Sequence, residues 1–184
     1  DLRLKGHAAP LVLGFERTED YFDHSLFFGA MVGRHANRIR NGQFTIDGEH
    51  FQVDPGRAGH ALHGGSQGLH ERVWEVESVG GDCITLALRD PHRAQGFPGD
   101  LDITCTYRLK PPATLLIEVE ARTDRPTLCN PAHHSYFNLD DGGEGDILDH
   151  RLMIAASAYL PVDDECVPTG HVVPVEGTAF DFVL

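Results

Sequence analysis

Three stretches of this chain alternate apolar and polar residues with a period of two: FTIDGEHFQV (44–53), VWEVESVGGDCITLALRD (73–90) and LDITCTYRLKPPATLLIEVEART (101–123). A strand with one buried face needs this period, because successive side chains point to opposite sides of the sheet. Each stretch is broken by a turn signal: Asp47-Gly48, Gly80-Gly81, and Lys110-Pro111-Pro112. Asp-Gly is a strong hairpin signature, since the tight turns that match strand twist need positive φ at their central residues. Each stretch therefore predicts a pair of half-buried antiparallel strands. Sustained helical periodicity appears nowhere, and 20 Gly and 11 Pro punctuate the short strands. The pattern predicts an all-β fold, an antiparallel sandwich or barrel. No linker, repeat or low-complexity tract divides it, so residues 1–184 read as a single domain.

Composition narrows the function classes. Lys and Arg total 15 against 28 Asp and Glu, a net charge of -13. A field of that sign repels phosphate backbones and anionic lipid, so neither nucleic acid nor membrane is an expected partner. No run approaches the roughly 18 apolar residues of a membrane span. Cys83, Cys105, Cys129 and Cys166 are sparse and show no CxxC spacing. All four are expected to be free thiols, with Cys83 and Cys105 acting as small core residues, which fits a cytoplasmic setting. The chain opens on Asp1 rather than Met, which leaves a preceding segment open.

Three polar clusters interrupt this scaffold. GRHANRIRNG (33–42) groups Arg34, Asn37, Arg38 and Arg40 ahead of a strand. Guanidinium forks and an Asn amide suit a hydroxyl-rich or carboxylate ligand, and would equally make a solvated turn. ALHGGSQG (61–68) sets His63 before two glycines that allow a sharp turn and close approach of a ligand. Its GGSQG also matches the serine-hydrolase nucleophile elbow. That elbow needs a helix after the Ser, whereas LHERVWEVES runs on into a strand. In HHSYFNL (133–139), alternation places His134, Tyr136 and Asn138 on one face as a polar row. The other face takes His133, Ser135, Phe137 and Leu139, and the last two mark it as the packed one. Adjacent strand histidines point apart and no HxH or HExxH spacing occurs, so a metal-binding reading is disfavoured.

Taken together, FFGAMVGRHANRIRNGQFTIDG, LHGG…RVWEV, HHSYFNLDDGGEGDILDH and YLPVDDECVPTGHVVPVEGTAFDF resemble, in the same order, the signature stretches of the aldose 1-epimerase (galactose mutarotase) family. The resemblance implies a large antiparallel β-sandwich that interconverts the α and β anomers of aldohexoses such as glucose and galactose, without cofactor or metal. It implies His134 as the general acid that protonates the ring oxygen and His63 as its partner near that oxygen. It also implies Asn37 and Arg38 as binders of sugar hydroxyls, with Ser135 and Tyr136 beside the acid. Histidine suits the task, because its ordinary pKa of about 6.5 lets it donate and recover a proton near neutrality.

Two departures accompany the resemblance. His133 stands where family members often carry Asn, and by alternation it faces away from the site. The family's base is a glutamate in its C-terminal part, and no acidic residue of this chain matches it. The domain is therefore expected to be incomplete at both ends, with room for a further segment or a second chain to complete the sheet. A non-catalytic sugar-binding module or an inactive fragment is the alternative reading, and a hexose-6-phosphate mutarotase is the alternative within the enzymes.

Overall fold

The computed structural model describes residues 1–23, 27–56 and 59–183. In chain order, the strands are β1 (Met31–Val32), β2 (Arg38–Ile39), β3 (Gln43–Ile46), β4 (Glu49–Gln52), β5 (Ala61–Leu62) and β6 (Glu75–Val79). They continue as β7 (Cys83–Asp90), β8 (Leu101–Lys110), β9 (Thr114–Thr123), β10 (Ala132–His133), β11 (Ala158–Tyr159) and β12 (Val173–Pro174). Among the described residues, helix is confined to the turn Asp20–Asp23 and three short 3₁₀ segments.

Among the described residues every pair of strands is antiparallel, and a single isolated bridge, His35–Asn130, is parallel. β6, β7, β8 and β9 form a four-stranded meander in that order, and β3 pairs with β4. Asp47 (φ 51°) and Gly48 (φ 82°) supply the two left-handed residues the β3–β4 turn demands. All three predicted pairs form. Cys83, Cys105, Cys129 and Cys166 are free, and Cys105 is buried.

Burial departs from strict alternation in β6, where every residue is exposed, including Val76 at 60% and Val79 at 72%. β6 is an edge strand, and its pairing with β7 slips between Val76 and Ser78, so a bulge breaks the period that predicted a covered face. β8 keeps the period, with Leu101, Ile103 and Cys105 buried and Asp102 exposed.

Among the described residues, two small clusters anchor the core. Val53, Ala61 and Phe97 pack with Ile39, Phe44 and Leu128, while Leu69, Leu101 and Ile103 pack with Trp74 and Leu88. Arg34, 1% exposed, is fixed by five hydrogen bonds. It donates to Asp90 Oδ2 (2.7 Å) and to the carbonyls of Asp90, Pro91, Pro98 and Gly99. Arg72 donates to the other Asp90 oxygen at 2.8 Å. A buried charge is tolerable only when so fully satisfied. Arg34 is thus a structural pin joining β1's exit to the turns that flank the β7–β8 connection.

Candidate active site

Two strand pairs of two residues each assemble the site. β1 pairs with β10, opposing Met31 to His133, and the His134 N–H donates to the Ala30 carbonyl at 2.9 Å. The chain after His134 stays extended without entering a sheet, held on its other edge. There Leu13 N–H donates to Tyr136 O (2.9 Å) and Asn138 N–H to Leu11 O (3.1 Å). The His134 and Tyr136 rings lie on one side with centroids 5.1 Å apart.

His133 and Ser135 lie on the other side. The Ser135 hydroxyl is 3.3 Å from His133 Nε2, and the His133 ring packs 5.5 Å from Tyr107. Ser135 is therefore the one predicted site residue that the fold turns away from His134.

Two further expectations for HHSYFNL need correction. Asn138 is fully buried and builds the following turn, accepting the Asp140 N–H at 3.0 Å and donating to Gly145 O at 3.3 Å. Phe137 (46%) and Leu139 (52%) are exposed rather than packed. Alternation runs on from His133 to the single Val12–Phe137 bridge and ends there, where Asn138 turns inward to build the loop.

β2 pairs with β5, opposing Arg38 to Leu62, and so brings Arg38 and His63 to the same place. Just beyond the pair, Asn37 and His63 interlock. The His63 N–H donates to Asn37 O (3.1 Å), and the Asn37 N–H donates to His63 Nδ1 (3.1 Å). Nδ1 is thus the lone-pair nitrogen, and the neutral ring carries its proton on Nε2, free to donate outward. Asn37 (φ 61°) and His63 (φ 53°) are both left-handed, a conformation that non-glycine residues adopt at a cost and that clusters at functional sites. Gly64 permits this geometry, since a Cβ on it would meet Gly33 O at 1.7 Å.

The His63 and His134 rings meet edge to face, 5.1 Å apart at 87°. Phe27 (φ 57°) packs against both, at 4.8 and 5.5 Å, and also against His70 at 4.9 Å. Burial pushes the His63 pKa down to about 4, helped by repulsion from His134, His70 and Arg38. Every charge acting on His63 is therefore basic. Among the described residues, the half-buried Arg38 guanidinium makes no hydrogen bond or ion pair, unlike Arg34 in its cage and Arg40, which pairs with Asp163 at 2.5 Å. A free guanidinium beside a neutral imidazole offers donors to the oxygens of a polyhydroxyl ligand. Among the described residues no group of three or more His, Cys, Asp or Glu side chains converges to hold a metal ion.

The aldose 1-epimerase family model matches residues 1–183. The chain belongs to the aldose 1-epimerase family. It is 41% identical to a galactose mutarotase of Rattus norvegicus over 177 residues, 96% of this chain and 51% of that protein. It is 39% identical to an aldose 1-epimerase of Escherichia coli K12 with the same coverage. Among solved structures it resembles an aldose epimerase homologue from C. elegans, with a TM-score of 0.86, 37% identity, and coverage of 94% of this chain and 52% of the other. A galactose 1-epimerase from Lactobacillus acidophilus superposes with a TM-score of 0.78 at 34% identity. The chain spans about half the length of the relatives it matches.

Against this family background, the fold brings together Asn37, Arg38, His63, His134 and Tyr136 and leaves Ser135 aside. It adds Phe27 and His70, which patterning did not single out. His70 was detectable only as a second histidine after the glycine-rich turn, in HGGSQGLH. Ser66, the serine of the apparent elbow, bonds to Asp54 through its N–H and hydroxyl and is followed by a single 3₁₀ turn, Leu69–Glu71.

Proposed function

We propose that these residues are the acid side of an aldose 1-epimerase site, acting on the ring oxygen of an aldohexose such as galactose or glucose. In ring opening a base takes the proton of the C1 hydroxyl, the C1 carbonyl forms, and the bond from C1 to the ring oxygen breaks as that oxygen takes a proton from His134. After rotation about C1–C2, the new hydroxyl adds back to the other carbonyl face and returns its proton to His134, while the C1 oxygen recovers its proton from the base. His63, neutral and donating through Nε2, holds the ring oxygen beside His134. Arg38 and Asn37 bind hydroxyls and fix the pose, and Tyr136 gives the sugar an apolar wall next to His134. The observation that carries the reading is the edge-to-face pair of His63 and His134 beside Arg38, which among the described residues has no partner. General acid–base groups so positioned contribute about 10²–10⁴-fold each.

A second reading, a sugar-binding surface without turnover, draws on the all-basic surroundings of His63, because mutarotation also needs a base for the C1 proton. No carboxylate of this chain is proposed for that role. Polarimetry on freshly dissolved α-galactose and α-glucose separates the two readings. Decay of optical rotation faster than the spontaneous rate supports the epimerase, and sugar binding with the spontaneous rate supports the binding surface.

A further inference from the structure

No hydrogen bond aims the His134 ring. Among the described residues neither of its nitrogens has a hydrogen-bond or ion-pair partner, in contrast to His63, whose Nδ1 accepts the Asn37 N–H. Imidazoles that move protons are ordinarily oriented by a carboxylate or carbonyl on their second nitrogen. What touches the His134 ring is other rings. Tyr136 lies 5.1 Å away, tilted by 44°, Phe27 lies 5.5 Å away, tilted by 37°, and His63 meets it edge to face at 5.1 Å. The Tyr136 ring is itself met by Phe28, T-shaped at 5.2 Å. The backbone explains how two consecutive phenylalanines reach two members of the polar row. The Ala30 N–H closes a turn on the Phe27 carbonyl at 3.1 Å, and the Ala30 carbonyl accepts the His134 N–H at 2.9 Å. The turn is thereby tied to the segment that carries His134 and Tyr136. Phe27 is left-handed, at φ 57°, which a bulky residue adopts only where its surroundings hold it there. Among the described residues, every ring that Phe27 meets is an imidazole: His63, His70 and His134.

We propose that Phe27 is a positioning residue, which with Tyr136 and His63 forms a three-ring seat that aims the His134 imidazole by packing in place of a hydrogen bond. A leucine or methionine could fill the same space, but a flat ring adds a fixed plane against which an imidazole can lie. Such a seat holds the ring and leaves both nitrogens unbound, so that one can deliver a proton to the ring oxygen and recover it. A carboxylate on the other nitrogen would also orient the ring, yet it would favour the charged form and hold the proton back. Phe27 acts through His134 and is given no contact with the sugar. The inference rests on the role proposed for His134.

The test reads the His134 ring by NMR relaxation of its Cε1–H and Cδ2–H bonds in the ¹³C-labelled chain, beside polarimetry of α-galactose. In the unsubstituted chain the ring is expected to be as ordered as the backbone around it. Phe27→Leu keeps apolar volume and removes the ring. There the order parameter of the His134 ring should fall into the flexible range, below about 0.6. In the same variant kcat should fall about 10-fold while KM stays within about twofold. Phe27→Tyr, which restores the ring, should recover both. A mobile His134 ring in the unsubstituted chain, an unmoved one in folded Phe27→Leu, or equal loosening in Phe27→Tyr overturns the inference. The relaxation measurement needs no turnover. A ring that Phe27→Leu loosens, in a chain that leaves mutarotation at the spontaneous rate, would fail the proposed function and leave the seat standing. Turnover that requires His134 but is indifferent to Phe27→Leu would fail this inference alone.

Discussion

Arg34 and Arg38 stand four residues apart in one polar stretch, and the fold uses them in opposite ways. Arg34 is enclosed and every face of its guanidinium is answered by Asp90 or a backbone carbonyl. Arg38 is half-buried beside His63 and, among the described residues, unanswered. Satisfied charge belongs to architecture, since each bond already made is unavailable to a ligand. Unsatisfied charge held in place is what binding requires, because its hydrogen bonds remain to be made. The histidine cluster extends the contrast: His63 has one nitrogen bound to the Asn37 backbone and the other free to donate.

The comparison breaks most visibly at its structural end. Asp90→Ala leaves Arg34 buried without its carboxylate, and such one-sided removal costs about 3–5 kcal/mol. Denaturant unfolding is expected to show that loss, whereas Arg38→Ala should stay within about 0.5 kcal/mol of the parent. Arg38→Ala should instead weaken galactose or glucose binding about 10-fold or more, as expected for a lost hydrogen bond to a charged donor; calorimetry of sugar binding checks it. A smaller effect sharpens the link between turn and site. Gly64→Ala forces a Cβ onto Gly33 O at a left-handed residue and should destabilise by more than about 1 kcal/mol. Its sugar affinity should fall further than its stability implies, because His63 precedes it.

The pH dependence follows from His63. Its folded pKa, about 4, lies below its ordinary 6.5, so the unfolded chain binds the proton more readily between those values. Its contribution to stability is therefore complete above pH 6.5 and is lost as pH falls towards 4. Unfolding midpoints of His63→Gln should show a flatter slope through that window. The smallest effect belongs to the partly exposed Arg40–Asp163 pair, where Arg40→Ala should cost about 0.2–1 kcal/mol.

How far the sequence could be read depended on the range of the interaction. The β3–β4 hairpin was legible because Asp47-Gly48 fixes its turn locally. The family was legible as well, through motifs that run the length of the chain. The faces of residues 133–139 were legible only as far as the extended segment runs, to the Val12–Phe137 bridge: His134 and Tyr136 share a side, while Asn138 turns inward to build a loop. Whether an arginine in GRHANRIR is a pin or a probe was not legible. Asp90 answers Arg34 from 56 positions away, and nothing near either residue encodes that choice. Phe27 and His70 were missed for the same reason, since their place beside His63 and His134 arises only when β1, β2, β5 and β10 pair.

The most direct test of the central claim is polarimetric comparison of the parent with His134→Ala, with circular dichroism confirming that both are folded. The account predicts that mutarotation of α-galactose above the spontaneous rate falls by about 10²-fold or more in the variant, the loss of a general acid. A folded His134→Ala protein that turns over as fast as its parent would contradict it.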